Sequence, residues 1–405
     1  MRSRLSIALA ALCALAASPA AAESKYSPGA SDTEIKIGQT MPYSGPVSGW
    51  APAGKTQMAF FEMLNSKGGI NGRKVRLISL DDGYVPPKTL EQTRKLVESD
   101  NVLAIVGTIG TPTNTATQKY LNSRKVPQIL FASGASKWND PKHFPYSIPG
   151  AALYQAETGA YATYILRERP NAKIAVLYQN DDLGRDYLDG LKKGLGDKAN
   201  MIVAAASYEV TDPTIDSQIA VLQGSGADVL VDISTPKFAA QAIRKVANLN
   251  WKPLHFVTTT ANSIGGALEP AGLDKSIGLL TSLNWKLPTD PRWQGDKDMQ
   301  DYLAFMKQWY PGTDAYDVQP VSGYITANLT AIILRNCGDD LTRENLIRQT
   351  TSLRDVEVPM LVPGVKVTIT PDDYTPYHKV NMARFDGKSW APLGTLIEVK
   401  HQSVE

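Results

Sequence analysis

From Ile35 to Thr258, apolar runs of five to seven residues alternate with longer amphipathic segments. That alternation restricts the chain to parallel strands connected through helices. Ile35–Met41, Val75–Leu80, Val102–Val106 and Gln128–Ala132 have the length and apolar content of buried parallel strands. The segments Lys55–Lys67, Pro87–Glu98 and Thr113–Arg124 read as the intervening helices. Pro87 suits a first helical turn, where its missing N–H costs nothing. Gly68-Gly69 ends the first helix as left-handed caps do. The series is βαβαβαβ, a doubly wound parallel sheet.

A second series follows it. Helix Ala152–Glu168, strand Ile174–Tyr178, helix Asp186–Leu195 and strand Met201–Ser207 open the series. Helix Asp216–Leu222, strand Val229–Ile233, helix Lys237–Asn248 and strand Leu254–Thr258 complete it. Pro149-Gly150 is the expected first crossing between the two halves, and Leu279–Trp285, a strand with a proline-rich exit, the second. Helices are expected at Lys297–Trp309 and Val318–Arg335. Beyond Val362 the pattern changes to alternating runs, Val365–Ile369 and Lys379–Phe385, around Asp-Gly turns, which predicts antiparallel strands. Two α/β lobes joined by several crossings leave a cleft between them. Ligands of such sheets bind beyond the carboxyl ends of the strands.

The N-terminus carries its own signal. Arg2 and Arg4 precede the apolar run Leu5–Ala17, and Ala20-Ala21-Ala22 offers a cleavage site, the three parts of a secretory signal peptide in order. The run is shorter than the roughly 20 residues a spanning helix needs. Leu12, where a small residue would precede a lipid-modified cysteine, argues against Cys13 as an anchor. Removing residues 1–22 leaves 383 of the 405 residues and lowers the 42 basic residues to 40, equal to the 40 acidic ones. A neutral chain has no electrostatic footprint for nucleic acid. Cys337 is then the only cysteine, set in an apolar helical pattern that suits a buried, inert thiol.

Gly49 to Thr56 reads Gly-x-x-x-x-Gly-Lys-Thr, a phosphate-cradling loop between a strand and a helix. Pro52 removes one of the N–H donors such a cradle uses. A secretory address also takes the chain away from nucleoside triphosphate. The match is read as coincidental, with Lys55 a solvated helix residue.

The blocks Tyr43–Pro46, Gly68–Lys74 with Asp81-Asp82, Ala104–Gly107, Ile129–Ser136 and Tyr178–Gly184 together resemble the leucine/isoleucine/valine-type solute-binding proteins of ABC importers. The resemblance covers nearly the whole mature chain. It implies two doubly wound Rossmann-like α/β lobes with a ligand cleft between them, the type I periplasmic binding protein fold. The expected division is a signal peptide at 1–22, a first lobe of 23–149 plus about 283–355, and a second of 150–282 plus about 356–405. In this family, hydroxyls and backbone N–H groups of two first-lobe loops hold a ligand carboxylate. Here the matching loops are Gly107–Thr111 and Ser133–Ser136, which puts Thr108, Gly110, Thr111, Gly134, Ala135 and Ser136 at the site. The physics is compatible, since each loop follows a strand and glycines let an anion approach the backbone. Capping of local helices by Thr111 and Ser136 is the plainer alternative. Trp50, in a Gly/Pro loop and read as exposed, matches an aromatic wall, and Leu183 stands where relatives often carry an aromatic ring.

The matching second-lobe positions are Thr235 and Thr260. Amino-acid-binding relatives place a carboxylate after the strand His255–Thr258, to neutralise the ligand's ammonium. This chain has Thr258, Thr259, Thr260 and Asn262 there, and its Ile233–Phe238 loop has no acid after Asp232. An ammonium buried without an anion is costly. An aromatic or apolar carboxylic acid therefore becomes at least as good a candidate as a branched-chain amino acid, with Trp50, Leu183 and Phe238 suited to an apolar ring.

His143, His255, His378 and His401 are scattered and no Gly-x-Ser-x-Gly elbow occurs, so the expectation is no metal, no cofactor and no catalytic residue. The Asp-Asp pairs at 81, 181, 339 and 372 flank turns or helix starts and read as caps. The expected function is a monomeric periplasmic binding component that captures a small carboxylate by hinge closure and delivers it to ABC permease membrane subunits. An amide- or urea-type sensor on the same fold, and a secreted enzyme using Asp182 or Asp232, are the alternatives.

Overall fold

The protein was analysed as a computed structural model describing residues 25–394 and 396–398. The expected signal peptide lies outside the described residues. The first sheet holds β1 (Glu34–Met41), β2 (Lys74–Asp81), β3 (Ala104–Val106), β4 (Gln128–Phe131) and β5 (Ser147–Pro149). Its order is β2-β1-β3-β4-β5 and all its pairings are parallel. The crossovers are α1 (Ala51–Ser66), α2 (Pro86–Arg94) and α3 (Thr111–Ser123). The second sheet repeats the winding. Helix α4 (Tyr154–Glu168) leads into β6 (Ile174–Gln179), α5 (Asp182–Leu195), β7 (Ile202–Tyr208) and α6 (Asp216–Gly224). Then come β8 (Val229–Ile233), α7 (Pro236–Asn248), β9 (Leu254–Val257), the short helices α8 (Glu269–Ala271) and α9 (Leu273–Ser276), and β10 (Leu280–Ser282).

After β10 the chain returns to the first lobe. Helices α10 (Lys297–Trp309) and α11 (Val318–Asn336) pack against α1, and α12 (Arg343–Thr350) packs on α11. A two-stranded ribbon, β11 (Leu353–Val356) with β12 (Val367–Ile369), lies at the final crossing. Beyond it, β13 (Lys379–Val380) pairs with β16 (Ile397–Glu398), while β14 (Met382–Phe385) and β15 (Trp390–Pro392) add an antiparallel edge to the second sheet. That sheet's full order is β15-β14-β10-β9-β8-β6-β7.

The elements form for local reasons. Strands β3, β4 and β8 are buried along their whole length, as covered parallel strands require. Helix α5 buries Leu183, Tyr187, Leu188, Leu191 and Leu195 along one face. Asp181 caps it by accepting from the Leu183 and Gly184 N–H groups.

Several boundaries differ from the expected ones. Helix α1 starts at Ala51 rather than Lys55, because Pro52 fits its first turn and a short 3-10 turn, Ser48–Trp50, leads into it. Helix α3 starts at Thr111 for the same reason, with Pro112 in the first turn and Gly110 at φ 110° before it. Helix α5 starts four residues earlier than the expected Asp186, at Asp182, through the Asp181 cap. Helix α2 widens into a π-type turn at Lys95–Ser99 in place of the continuous α-helix expected to Glu98. Strand β5 had no counterpart among the expected strands, since three residues carry too little periodicity to be seen. The phosphate-loop reading fails on geometry: Gly54, Lys55 and Thr56 are helical, and the Thr56 hydroxyl bonds back to Pro52 O at 2.8 Å.

The first crossing is tightly packed. A Cβ on Gly134 would lie 1.9 Å from Ala152 O and 2.8 Å from the Tyr154 ring. Gly134→Ala is therefore expected to destabilise the protein by about 2 kcal/mol, as overpacking does. A urea-denaturation midpoint equal to the parent protein's would contradict this packing.

Candidate functional site

Both sheets wind as 2-1-3-4-5, so each reverses direction beside its central strand, β1 and β3 in the first and β6 and β8 in the second. The loops leaving these strands face each other and enclose a cavity of about 130 Å³. The first lobe contributes Trp50 after β1, Ile109 and Gly110 after β3, and Ala132 after β4. The second contributes Tyr154, Leu183, Thr259 and Thr260. The crossings supply Gly150–Ala152, Ser282–Trp285, Tyr377 and Val380. Helix α11 adds Gln319, Ser322, Ile325 and Thr326, one stripe at near-helical spacing. None of the described residues lining the cavity is Asp, Glu, Lys, Arg or His.

Trp50 is 4% exposed, not the open loop residue expected from its Gly/Pro surroundings, because it packs in a cluster with Met41, Val47, Ala53, Tyr84 and Ile109. Its indole Nε1 donates to Thr260 O at 3.1 Å, across the cleft. Its ring meets Tyr84 edge-on, with centroids 5.6 Å apart. Tyr154 stacks on Tyr187 at 4.1 Å, and burial raises both phenol pKa values.

Behind this wall lies Glu157, buried and hydrogen-bonded on both oxygens. Oε1 accepts from the Tyr161 hydroxyl at 2.5 Å and Thr259 N–H at 2.8 Å. Oε2 accepts from the Tyr187 and Thr259 hydroxyls, each at 2.8 Å. Burial raises the Glu157 pKa, with these four bonds opposing the shift. This carboxylate does not line the cavity; it fixes Thr259, which does.

Of the residues expected at the site, Trp50, Gly110, Leu183 and Thr260 line the cavity, and Thr108, Thr111, Gly134, Ala135, Ser136 and Thr235 do not. The hydroxyls of this second group are engaged within the protein. Thr108 Oγ1 donates to Asn114 Oδ1. Thr111 Oγ1 shares hydrogen bonds with Ser133 Oγ at 2.7 Å and Tyr154 OH at 3.2 Å. Ser136 directs both its N–H, at 3.0 Å, and its hydroxyl, at 2.5 Å, to Asp186. Thr235 shares a 3.4 Å hydrogen bond between its hydroxyl and Tyr208 OH, which also accepts from its N–H at 3.0 Å. Thr260 Oγ1 donates to Ser234 O at 2.8 Å, so Thr258 is the donor in the 2.7 Å bond between the two threonines.

Phe238 is buried in the second-lobe core against Tyr208, away from the cavity. Asp232 points into the same core, fully buried, with His255 Nε2 at 3.7 Å. Neither Asp232 nor Asp182 lines the cavity. Cys337 is buried, and burial pushes its thiol pKa up to about 12. Among the described residues, no group of three or more His, Cys, Asp or Glu could hold a metal ion, and no helix is long and apolar enough to cross a membrane.

Sequence reasoning missed Tyr154, Glu157 and the α11 stripe. The stripe had a signal in principle: Gln319, Ser322 and Thr326 interrupt an otherwise apolar helix on one side. Glu157 had none, because its partners Tyr187 and Thr259 are 30 and 102 residues away.

A family model for periplasmic binding proteins matches residues 34–389. A Brucella abortus protein named Leu/Ile/Val-binding protein homolog 7 is 24% identical over 277 residues, covering 64% of this chain and 68% of that protein. The structure of a branched chain amino acid ABC transporter from Thermus thermophilus with bound valine superposes with a TM-score of 0.81 at 16% identity, covering 90% of this chain and 97% of that one. A fatty acid ABC transporter substrate-binding protein from Thermomonospora curvata has a TM-score of 0.74 at 20% identity, with 93% and 95% covered. At these identities the two structures share the fold with this chain.

Proposed function

This chain belongs to the leucine/isoleucine/valine-type periplasmic binding protein family, and on that premise we propose that it is the solute-binding component of an ABC importer. The family is extracytoplasmic and binds solutes without turning them over. In this reading the lobes are 23–149 with about 283–355 and 150–282 with about 356–405. They close around one small ligand, and the closed form is what the permease subunits receive.

The ligand we infer is a small apolar or aromatic carboxylic acid rather than a zwitterionic amino acid. The observation carrying this is the uncharged lining of the cavity. An ammonium held there would have no anion in the lining, whereas a carboxylate can be held by hydroxyls and backbone N–H groups alone. Ser282, Ser322 and Thr326 are the hydroxyl-bearing residues of the lining available to it. A cavity of about 130 Å³ is close to the roughly 150 Å³ that holds benzene in an engineered apolar core, so one ring or a short branched chain is the right size. A second reading, an amide ligand, is favoured by Gln319, which borders the same space.

A thermal-shift panel of aromatic acids, branched-chain aliphatic acids, branched-chain amino acids and short amides tests the proposal. The matching class is expected to raise the melting temperature by roughly 5–10 °C at a hundredfold excess over Kd, and the ligand should be recovered unchanged. Chemical conversion of any ligand would overturn the binding-protein reading. A response confined to amino acids would overturn the ligand class.

A further inference from the structure

We propose that Asp186 acts as the second lobe's own substitute for a ligand carboxylate: on closure it enters the Ser136 donor pair of the first lobe, latches the cleft and keeps anionic ligands out of that turn. Ser136 follows β4 of the first sheet, and Asp186 lies on α5 after β6 of the second. The contact is two-pronged, with Ser136 N–H to Oδ2 at 3.0 Å and Ser136 Oγ to Oδ1 at 2.5 Å. That is how a loop receives a carboxylate. A third donor, Gln155 Nε2, reaches Oδ1 at 2.8 Å from the start of α4, and its own Oε1 is held by Lys193 Nζ at 2.9 Å. No Ser136 donor is left over, and an incoming anion would face the charge of Asp186.

The neighbouring pair from Lys137 to Asp182 crosses the same boundary, but its exposure makes it a weak contributor. Across the molecule the device recurs with the roles exchanged. Asp317, which caps α11 on the first-lobe side, accepts from Ser263 Oγ at 2.7 Å and Gly265 N–H at 2.6 Å in the second lobe. Each lobe thus lends a carboxylate to hydrogen-bond donors of the other.

The inference rests on the two-lobe closure reading but not on which ligand is bound, so single-molecule energy transfer between the lobes of the ligand-free mature protein, which counts even a minor closed population, tests it independently of the thermal-shift panel. Asp186→Ala is expected to lower the closed-to-open ratio about tenfold or more. Millimolar acetate should raise the closed fraction of Asp186→Ala toward the parent's, and leave the parent protein and the Asp186→Ala, Ser136→Ala double variant unchanged. Asp186→Asn, which preserves side-chain volume, should open in the same way, with circular dichroism showing both variants folded. A closed fraction equal to the parent's in both Asp186 variants would overturn the latch. Failure of acetate to close Asp186→Ala would overturn its role as a carboxylate substitute.

Discussion

Replacing Glu157 with alanine is expected to lower the melting temperature by on the order of 6–12 °C and to weaken ligand binding in the same variant. Four donors converge on this one buried carboxylate: the hydroxyls of Tyr161, Tyr187 and Thr259, and the Thr259 N–H. Tyr161 has a second acceptor in Val257 O at 3.1 Å and the Tyr187 hydroxyl a second partner in Thr259 Oγ1 at 3.2 Å, so the loss falls mainly on the two Thr259 donors. A buried donor without a partner costs about 1–3 kcal/mol. Relief from burying the charge offsets part of this, since burial already raises the carboxyl's pKa, and a net loss of about 3 kcal/mol remains. The ligand effect follows from geometry. Thr259 is part of the cavity wall, and Tyr187 supports Tyr154 by stacking. Calorimetry and titration of the same variant check both halves. A melting temperature within a degree or so of the parent's would mean that these donors reach water, contrary to the burial described.

The second large effect is expected at Trp50. Trp50→Ala should weaken binding of whichever ligand the thermal panel identifies by about 30-fold or more, the roughly 2 kcal/mol typical of a buried aromatic anchor. The side chain does three things: it forms a cavity wall, packs edge-on against Tyr84, and bonds across the cleft to Thr260 O. Trp50→Phe separates them. It keeps a smaller ring beside Tyr84 and loses the cross-cleft indole N–H, so its cost should be about 1 kcal/mol, roughly fivefold in Kd. Equal affinities for the parent and Trp50→Ala by calorimetric titration would remove this residue from the site.

Much of the architecture was legible in the residues themselves. Runs such as Val229–Ile233, apolar but for Asp232, read as covered parallel strands, and β8 occupies those same five residues. Helix ends were less legible, because Pro52 and Pro112 are compatible with either a loop or a first turn, and packing against the cleft selects the turn. The site divided along the same line. Trp50, Gly110, Leu183 and Thr260 reach the cavity because a loop after a strand end has few other directions to take. Thr111 and Ser136 lie in equivalent loops, yet Ser133, Tyr154 and Asp186 claim their hydroxyls.

Alternation of strand and helix, a property of local hydrophobic spacing, determined from the sequence alone that two doubly wound sheets would form and that a cleft would lie between their strand ends. The absence of an acid after the His255–Thr258 segment was equally readable residue by residue. Only the tertiary structure decided which polar groups the cleft keeps. Hydrogen-bond partners such as Ser136 with Asp186, or Thr259 with Glu157, are 50 and 102 residues apart. A donor is free for a ligand only if no partner arrives from the other end of the fold.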